Sequence, residues 1–186
     1  MKRLAVFLLI LFLAACSSAT ADDSTLPPPG ETVTAFFAYI EAGEYEEAQG
    51  LLSGEFSLLE VEEEYRGLIF GSLFHMDMPE EVGEGYAYVA ITIRAVDFAA
   101  AMDEIMAEAF PWVFEDITAN QLADRLDSLL IEILESDAAP IMSSIIGVRL
   151  ELYEGEWRIL SDRDFADAIT GGMISFAEYT EQWQIQ

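Results

Sequence analysis

The chain is short of basic groups, cysteine and histidine. It has 8 basic residues against 35 acidic ones, for a formal net charge of −27, and Lys2 is its one lysine. A protein that neutralises phosphates needs clustered Lys and Arg, so the charge balance excludes nucleic acid as a partner. A single cysteine, Cys16, excludes an internal disulfide framework and any zinc site built from several thiolates. A single histidine, His75, excludes a His-Glu-x-x-His pair and leaves any Ser-His-Asp triad with one candidate. Gly-x-Gly-x-x-Gly, phosphate-loop and Gly-x-Ser-x-Gly patterns are missing, as is an Asp-x-Asp-x-Asp-Gly calcium loop. No motif therefore implies a cofactor or a metal. What the chain has in quantity is apolar mass. Hydrophobic residues make up 53% of its 186 positions, which excludes a disordered chain and suits one domain with a sizeable core.

The N-terminus carries an address. Lys2-Arg3 precedes an unbroken apolar run from Leu4 to Ala15, too short to span about 30 Å of hydrocarbon but the right length for a signal-peptide core. The run ends in Leu13-Ala14-Ala15-Cys16, followed by Ser17-Ser18. All four positions resemble the lipobox of bacterial lipoproteins. The resemblance implies that residues 1–15 are a signal peptide and that Cys16 receives a diacylglyceryl group by thioether and becomes the new N-terminus. Two acyl chains, of the palmitate kind, anchor stably where one holds only marginally. The longest later apolar stretch free of charged residues, Ala138 to Val148, is well short of a span. The expectation is a protein anchored on the outer face of the bacterial cell membrane. Residues 16–29 form its tether, stiffened by Pro27-Pro28-Pro29, and its acidic surface is repelled by anionic headgroups.

From residue 30 the periodicity is first helical. Val33, Phe36, Phe37 and Ile40 share a face, with Gly43 as a stop. Tyr45, Ala48, Leu51 and Leu52 predict a second helix ended by Gly54. Leu58, Val61, Tyr65, Leu68 and Ser72 predict a third, on which Glu62 can pair with Arg66. The period then changes to two. Leu73 to Met78 reads as a strand ending at Pro79, Glu80 to Glu84 as a hairpin loop, and Gly85 to Val96 as a strand. Ala87, Val89, Ile91, Ile93 and Ala95 make its apolar face, opposite Tyr86, Tyr88, Ala90, Thr92 and Arg94. Asp97 is a cap for a helix ended by Pro111, and Thr118 with Gln121 fits a capping box before a second helix with a wide apolar stripe. Met142 to Tyr153 and Glu156 to Ser161 read as a hairpin joined by Glu154-Gly155. Asp162 to Ile169 reads as a short helix, and residues 173–186 carry no assignment.

The class is thus α+β: a curved antiparallel sheet of about four strands packed with helices, with a two-helix insertion. Three stretches, Phe36 to Leu52, Val89 to Met102 and Val148 to Gly172, resemble uncharacterised bacterial lipoproteins of the nuclear transport factor 2-like superfamily. That resemblance covers most of residues 30–172 and implies a cone whose concave side is filled or lined by helices. The superfamily hosts both enzymes and binding modules, so the fold alone assigns no function. Its enzymes use carboxylate and His side chains in the cone, which makes His75 and Asp77 the catalytic candidates. The alternative for that pair is an edge-strand position facing solvent or a partner loop. Tyr86 and Tyr88 could line a ligand cavity or lie beneath a helix. Glu44 to Glu47 and Glu60 to Glu64 read as solvated faces, and Asp162, Asp164 and Asp167 as charge complementing a helix N-terminus rather than as metal ligands. Phe110-Pro111-Trp112-Val113-Phe114 is either a buried corner between two helices or an exposed docking patch. The residues point to a non-catalytic binding or scaffold module; a third reading is an accessory subunit of an envelope complex, whose acidity would select a basic protein partner. The rival is a small-molecule enzyme or ligand carrier using the cone, which a deep cavity with inward-pointing polar groups would favour.

Overall fold

The computed structural model describes residues 26–71 and 73–184; Cys16, with all of the signal peptide and most of the tether, lies outside them, as do the side chains at 74, 76–79 and 181–184. Helix α1 (Pro29–Ala42) starts at a proline and buries Val33, Phe36, Phe37 and Ile40. It stops at Gly43, whose φ of 75° turns the chain so that its N–H and that of Glu44 donate to the carbonyls of Ile40 and Tyr39 at 3.0 and 2.8 Å.

Helix α2 (Tyr45–Gly50) ends earlier than its apolar spacing predicts. Leu52–Ser53 instead form a two-residue strand, β1, lying parallel to strand β5 (Glu156–Leu160). The pairing satisfies the edge of β5: Ile159 N–H donates to Leu51 O at 2.9 Å and Ser161 N–H to Ser53 O at 2.7 Å. A tertiary edge outcompetes local helix propensity here. The third predicted helix is also broken. A 3-10 turn (Leu58–Glu60) precedes α3 (Glu63–Phe70), with Val61 extended between them. Side chains hold the break. Ser57 caps the turn through Leu59 N–H at 3.2 Å, and Gln49 accepts from Leu58 N–H at 2.8 Å. Arg66 donates to the carbonyls of Val61 and Leu59 at 2.8 and 2.9 Å, in place of the expected pair with Glu62.

Four longer strands and β1 make a five-stranded sheet in the order β1-β5-β4-β3-β2, mixed only because β1 is parallel. Strand β2 (Phe74–Val82) does not stop at Pro79; its register against β3 (Tyr86–Val96) shifts between Asp77 and Glu80, and pairing resumes to Val82. An edge strand tolerates proline at such a bulge because the missing N–H faces no partner. Strand β4 (Ile141–Tyr153) pairs with β3 along its whole length and turns into β5 through Glu154 and Gly155, with φ of 52° and 88°. Both left-handed values define the turn whose twist matches a hairpin.

The apolar alternation of β3 is realised in full: Ala87, Val89, Ile91, Ile93 and Ala95 are buried. With Val148, Leu150, Trp157 and Ile159 they form one side of a continuous core, whose other side comes from α1, α2, α3 and helix α6 (Arg163–Ile169). The cluster and the side chains packed on it run from Val33 to Met173, so the folded unit supplies its own core. Phe36 is fully buried, its ring edge-on to Phe37 at 5.2 Å and to Phe165 at 5.5 Å. The opposite face of the sheet carries exposed Tyr86, Tyr88, Ile145 and Tyr153.

Between β3 and β4 the chain makes a two-helix arm. Helix α4 (Phe98–Ala109) is capped by Asp97, which accepts from Ala100 N–H at 3.0 Å. Helix α5 (Ala119–Glu135) opens with the reciprocal capping box of Thr118 and Gln121. A small cluster of Val96, Ala101 and Leu134, with Leu68, Leu130 and Ile133 against it, docks the arm on α3 and the end of β3. After α6 the chain turns through Gly171-Gly172 into helix α7 (Met173–Gln184), an element the sequence left unassigned. Phe176 of α7 meets Phe98 edge-on at 5.5 Å.

Candidate functional site

The interior of the domain is filled. Its largest buried side chains are Phe36, Phe70, Phe165, Leu58 and a set of Ile, Leu and Val. Among the described residues the buried polar side chains are Ser161 and Thr170, and each is spent locally, on Ser53 O at 2.6 Å and Ala166 O at 2.8 Å. Both are hydroxyls serving the backbone, and neither is a base or an activated nucleophile.

His75 lies on β2 in register with Ile93, on the face that α1 covers, so the solvent-facing alternative does not hold for it. Its ring stacks on Phe37 with centroids 4.3 Å apart and planes 14° apart, a packing role beneath α1. Asp77 pairs in register with Ile91, and its side chain lies outside the described residues. Tyr86 and Tyr88 sit exposed on the sheet's open face, with rings 5.9 Å apart and edge-on, and among the described residues no helix covers them. They border a hollow of about 510 Å³ with Glu81, Arg149 and Glu151.

The aspartates near α6 act as helix caps and ties. Asp162 accepts from Phe165 N–H at 3.0 Å, and Asp167 takes both the N–H and the hydroxyl of Ser175 at 2.8 Å, pinning the start of α7. Among the described residues no three acidic, His or Cys side chains converge as metal ligands. Glu62, Glu63 and Glu64 are exposed at the N-terminus of α3, where the helix dipole favours them.

Two surfaces remain. The first is the elbow between α4 and α5. Pro111 stops α4, and Phe110–Phe114 wind into a 3-10 turn that turns its side chains outward. Phe110, Val113 and Phe114 are 63%, 69% and 78% exposed, and Met106 one turn earlier is exposed as well. The rings of Phe110 and Phe114 meet edge-on at 5.5 Å. Trp112 is half-buried under the guanidinium of Arg125 at 5.6 Å, and Arg125 is bound to Glu115 at 2.7 Å. The corner is exposed, so the buried reading of this segment does not hold. Asp103, Glu104 and Glu108 before it in the chain and Glu115 and Asp116 after it are exposed, and Arg125 pairs with Glu115.

The second surface was not legible in the sequence. A cleft of about 540 Å³ opens where the 3-10 turn and α3 face the C-terminal part of α5 and the start of α7. Ile69 and Leu134 line it as buried residues, and Val61, Tyr65, Leu130 and Met173 as half-buried ones. The apolar stripe of α5 hinted that Leu130 and Leu134 face something. Its partners come from an element without assignment and from a helix expected to be unbroken.

Comparison with family models, curated proteins and solved structures finds no match for the chain.

Proposed function

We propose that the protein is a lipoprotein anchored at Cys16 to the outer face of a bacterial cell membrane, and that its folded unit is a non-catalytic binding module. The observation that carries the binding reading is the elbow. Three large apolar side chains, Phe110, Val113 and Phe114, stand exposed at the tip of a two-helix arm. Aromatic anchors of this kind dominate the energetics of protein interfaces. The exposed acidic residues that flank this segment in the chain favour a partner whose pocket has a basic rim, and attraction between the two speeds encounter at low salt. The filled interior removes the support a polar cavity would have lent to an enzyme or carrier. The anchoring reading rests on the lipobox residues Leu13 to Cys16. Among the described residues no helix is long and apolar enough to cross a membrane, which fits a chain held by lipid.

Two measurements test the reading. Cells fed an alkyne-bearing palmitate should label the wild-type protein and not the Cys16→Ala variant, which should leave the membrane fraction still folded. A variant that stays membrane-bound would sink the anchor. For the module, a photo-reactive benzoylphenylalanine in place of Phe114 should give one discrete cross-linked band in cells, weakened by raised salt. The same group in place of Glu46, on α2, should give none. Identical patterns from both positions would refute the elbow as the contact surface.

A further inference from the structure

We infer that the cleft between α3, α5 and α7 is a second binding site, built for a small organic cation with an apolar, ring-bearing body. It is independent of the elbow. Its volume of about 540 Å³ falls within the range of pockets that enclose drug-sized ligands, about 300–1,000 Å³. The lining is overwhelmingly apolar, and Tyr65 and Phe98 supply aromatic groups that can receive a cation. The polar side chains of the lining are Ser57, Glu60, Glu62 and the Tyr65 hydroxyl, and among the described residues no basic one lines it. Ser57 is already occupied in capping the 3-10 turn. Arg66, the nearest base in sequence, is turned to the carbonyls of Leu59 and Val61 and stands over the ring of Tyr45 at 5.9 Å. The two glutamates at the rim are therefore left without a basic neighbour in the lining.

The Tyr65 phenol lies among carboxylates as well as apolar walls. Its pKa is pushed above the usual value, first by burial and then by the carboxylates of Asp127, Glu64 and Glu62. A neutral organic ligand would gain from the apolar walls alone, and an anionic one would meet repulsion from the rim. A cation whose charge is spread over a ring-bearing body gains from both and loses little hydration on entry.

The test uses two ions of the same shape and opposite charge, tetraphenylphosphonium and tetraphenylborate. Each is titrated calorimetrically into residues 22–186, which contain the whole core, at physiological salt, where fields from distant carboxylates are screened within about 8 Å. One phosphonium should bind per chain, at least tenfold more tightly than the borate. Glu60→Gln with Glu62→Gln should weaken it by about fivefold, as expected for two exposed charge contacts. Leu130→Trp should abolish saturable binding by filling the cleft. If that variant fails to fold, the Met173 methyl resonance of the wild-type chain gives a second readout and should shift on saturation with the phosphonium. Phe114→Ser should leave the affinity unchanged. Equal binding of the two ions, non-saturating uptake, an affinity indifferent to the paired glutamate substitutions, or an unmoved Met173 resonance would each overturn the assignment.

Discussion

Gly43 and Gly171 follow helices α1 and α6 with nearly the same backbone, φ of 75° and 62°, and substituting alanine at each should give very different results. At Gly43 an added Cβ meets nothing within 4 Å. The cost there is the left-handed conformation, about 1–2 kcal/mol, less about 0.4–1 kcal/mol regained from a stiffer unfolded chain. Gly43→Ala should therefore destabilise by about 1 kcal/mol. At Gly171 the added Cβ would collide with the backbone carbonyl of Val96, at the end of β3. The same residue's carbonyl accepts from Phe98 N–H at 2.9 Å, tying the end of α6 to the first turn of α4. Relieving the collision adds an overpacking cost of about 1–3 kcal/mol and endangers a hydrogen bond contributing about 1 kcal/mol. Gly171→Ala should then destabilise by about 3–5 kcal/mol. Urea unfolding of both variants, followed by far-ultraviolet circular dichroism, reads the difference directly. In thermal melts it should appear as a Tm lowered by about 10 °C for Gly171→Ala against about 3 °C for Gly43→Ala, at about 2–4 °C per kcal/mol for a domain of this size. Equal losses would show that the close approach of Gly171 to Val96 does not constrain the fold.

Thr118→Ala, which removes the cap and half of the capping box of α5, should cost about 0.5–2 kcal/mol in the same unfolding assay, whereas Thr118→Ser should retain most of the stability. Glu178 is held below the usual carboxylate range by its hydrogen bond to Arg163, whose own pKa is raised in return. A lowered folded pKa means stability present above the ordinary carboxylate pKa and lost as pH falls through the lowered one. Wild type should therefore exceed Glu178→Gln at neutral pH, the two should converge in acid, and a gap that persists below the carboxylate range would contradict the linkage. Phe114→Ser should leave unfolding within about 0.5 kcal/mol of wild type, because the ring is exposed, while eliminating a cross-link formed from the neighbouring Phe110. A large loss of stability would mean that the ring is structural.

The readable parts of this sequence were those in which local chemistry and tertiary demand agree. Strand β3 alternates strictly, and the structure buries one half of the alternation and leaves tyrosines on the other. Asp97 and Thr118 cap helices as their types and positions predict, because a cap needs only its own next three residues, and Asp162, read as charge at a helix start, caps one as well. The misread parts depend on distant partners. Leu52 has the spacing of a helix residue, yet it extends to pair beside Ile159 across the sheet. Val61 continues an apolar face, yet Arg66 and Gln49 stabilise a break around it. Pro79 is a strong stop signal that an edge strand absorbs by shifting register. The elbow was visible as an aromatic cluster, but its exposure depends on how the arm docks. The cleft was invisible, since it exists only where three separately encoded elements meet.

A lipid anchor would concentrate this protein on a two-dimensional surface, where an open sheet edge is a hazard: neighbours can polymerise by adding strand to strand. Both edges of this sheet discourage such growth. One is closed by β1, which offers only two residues of ladder before the chain turns away at Gly54. The other, β2, carries a proline, a register slip and the exposed charges of Glu80 and Glu81 along its length. Growth by strand addition at these two edges is thus disfavoured, and contacts that crowded copies make there fall to side chains, which salt or dilution can reverse.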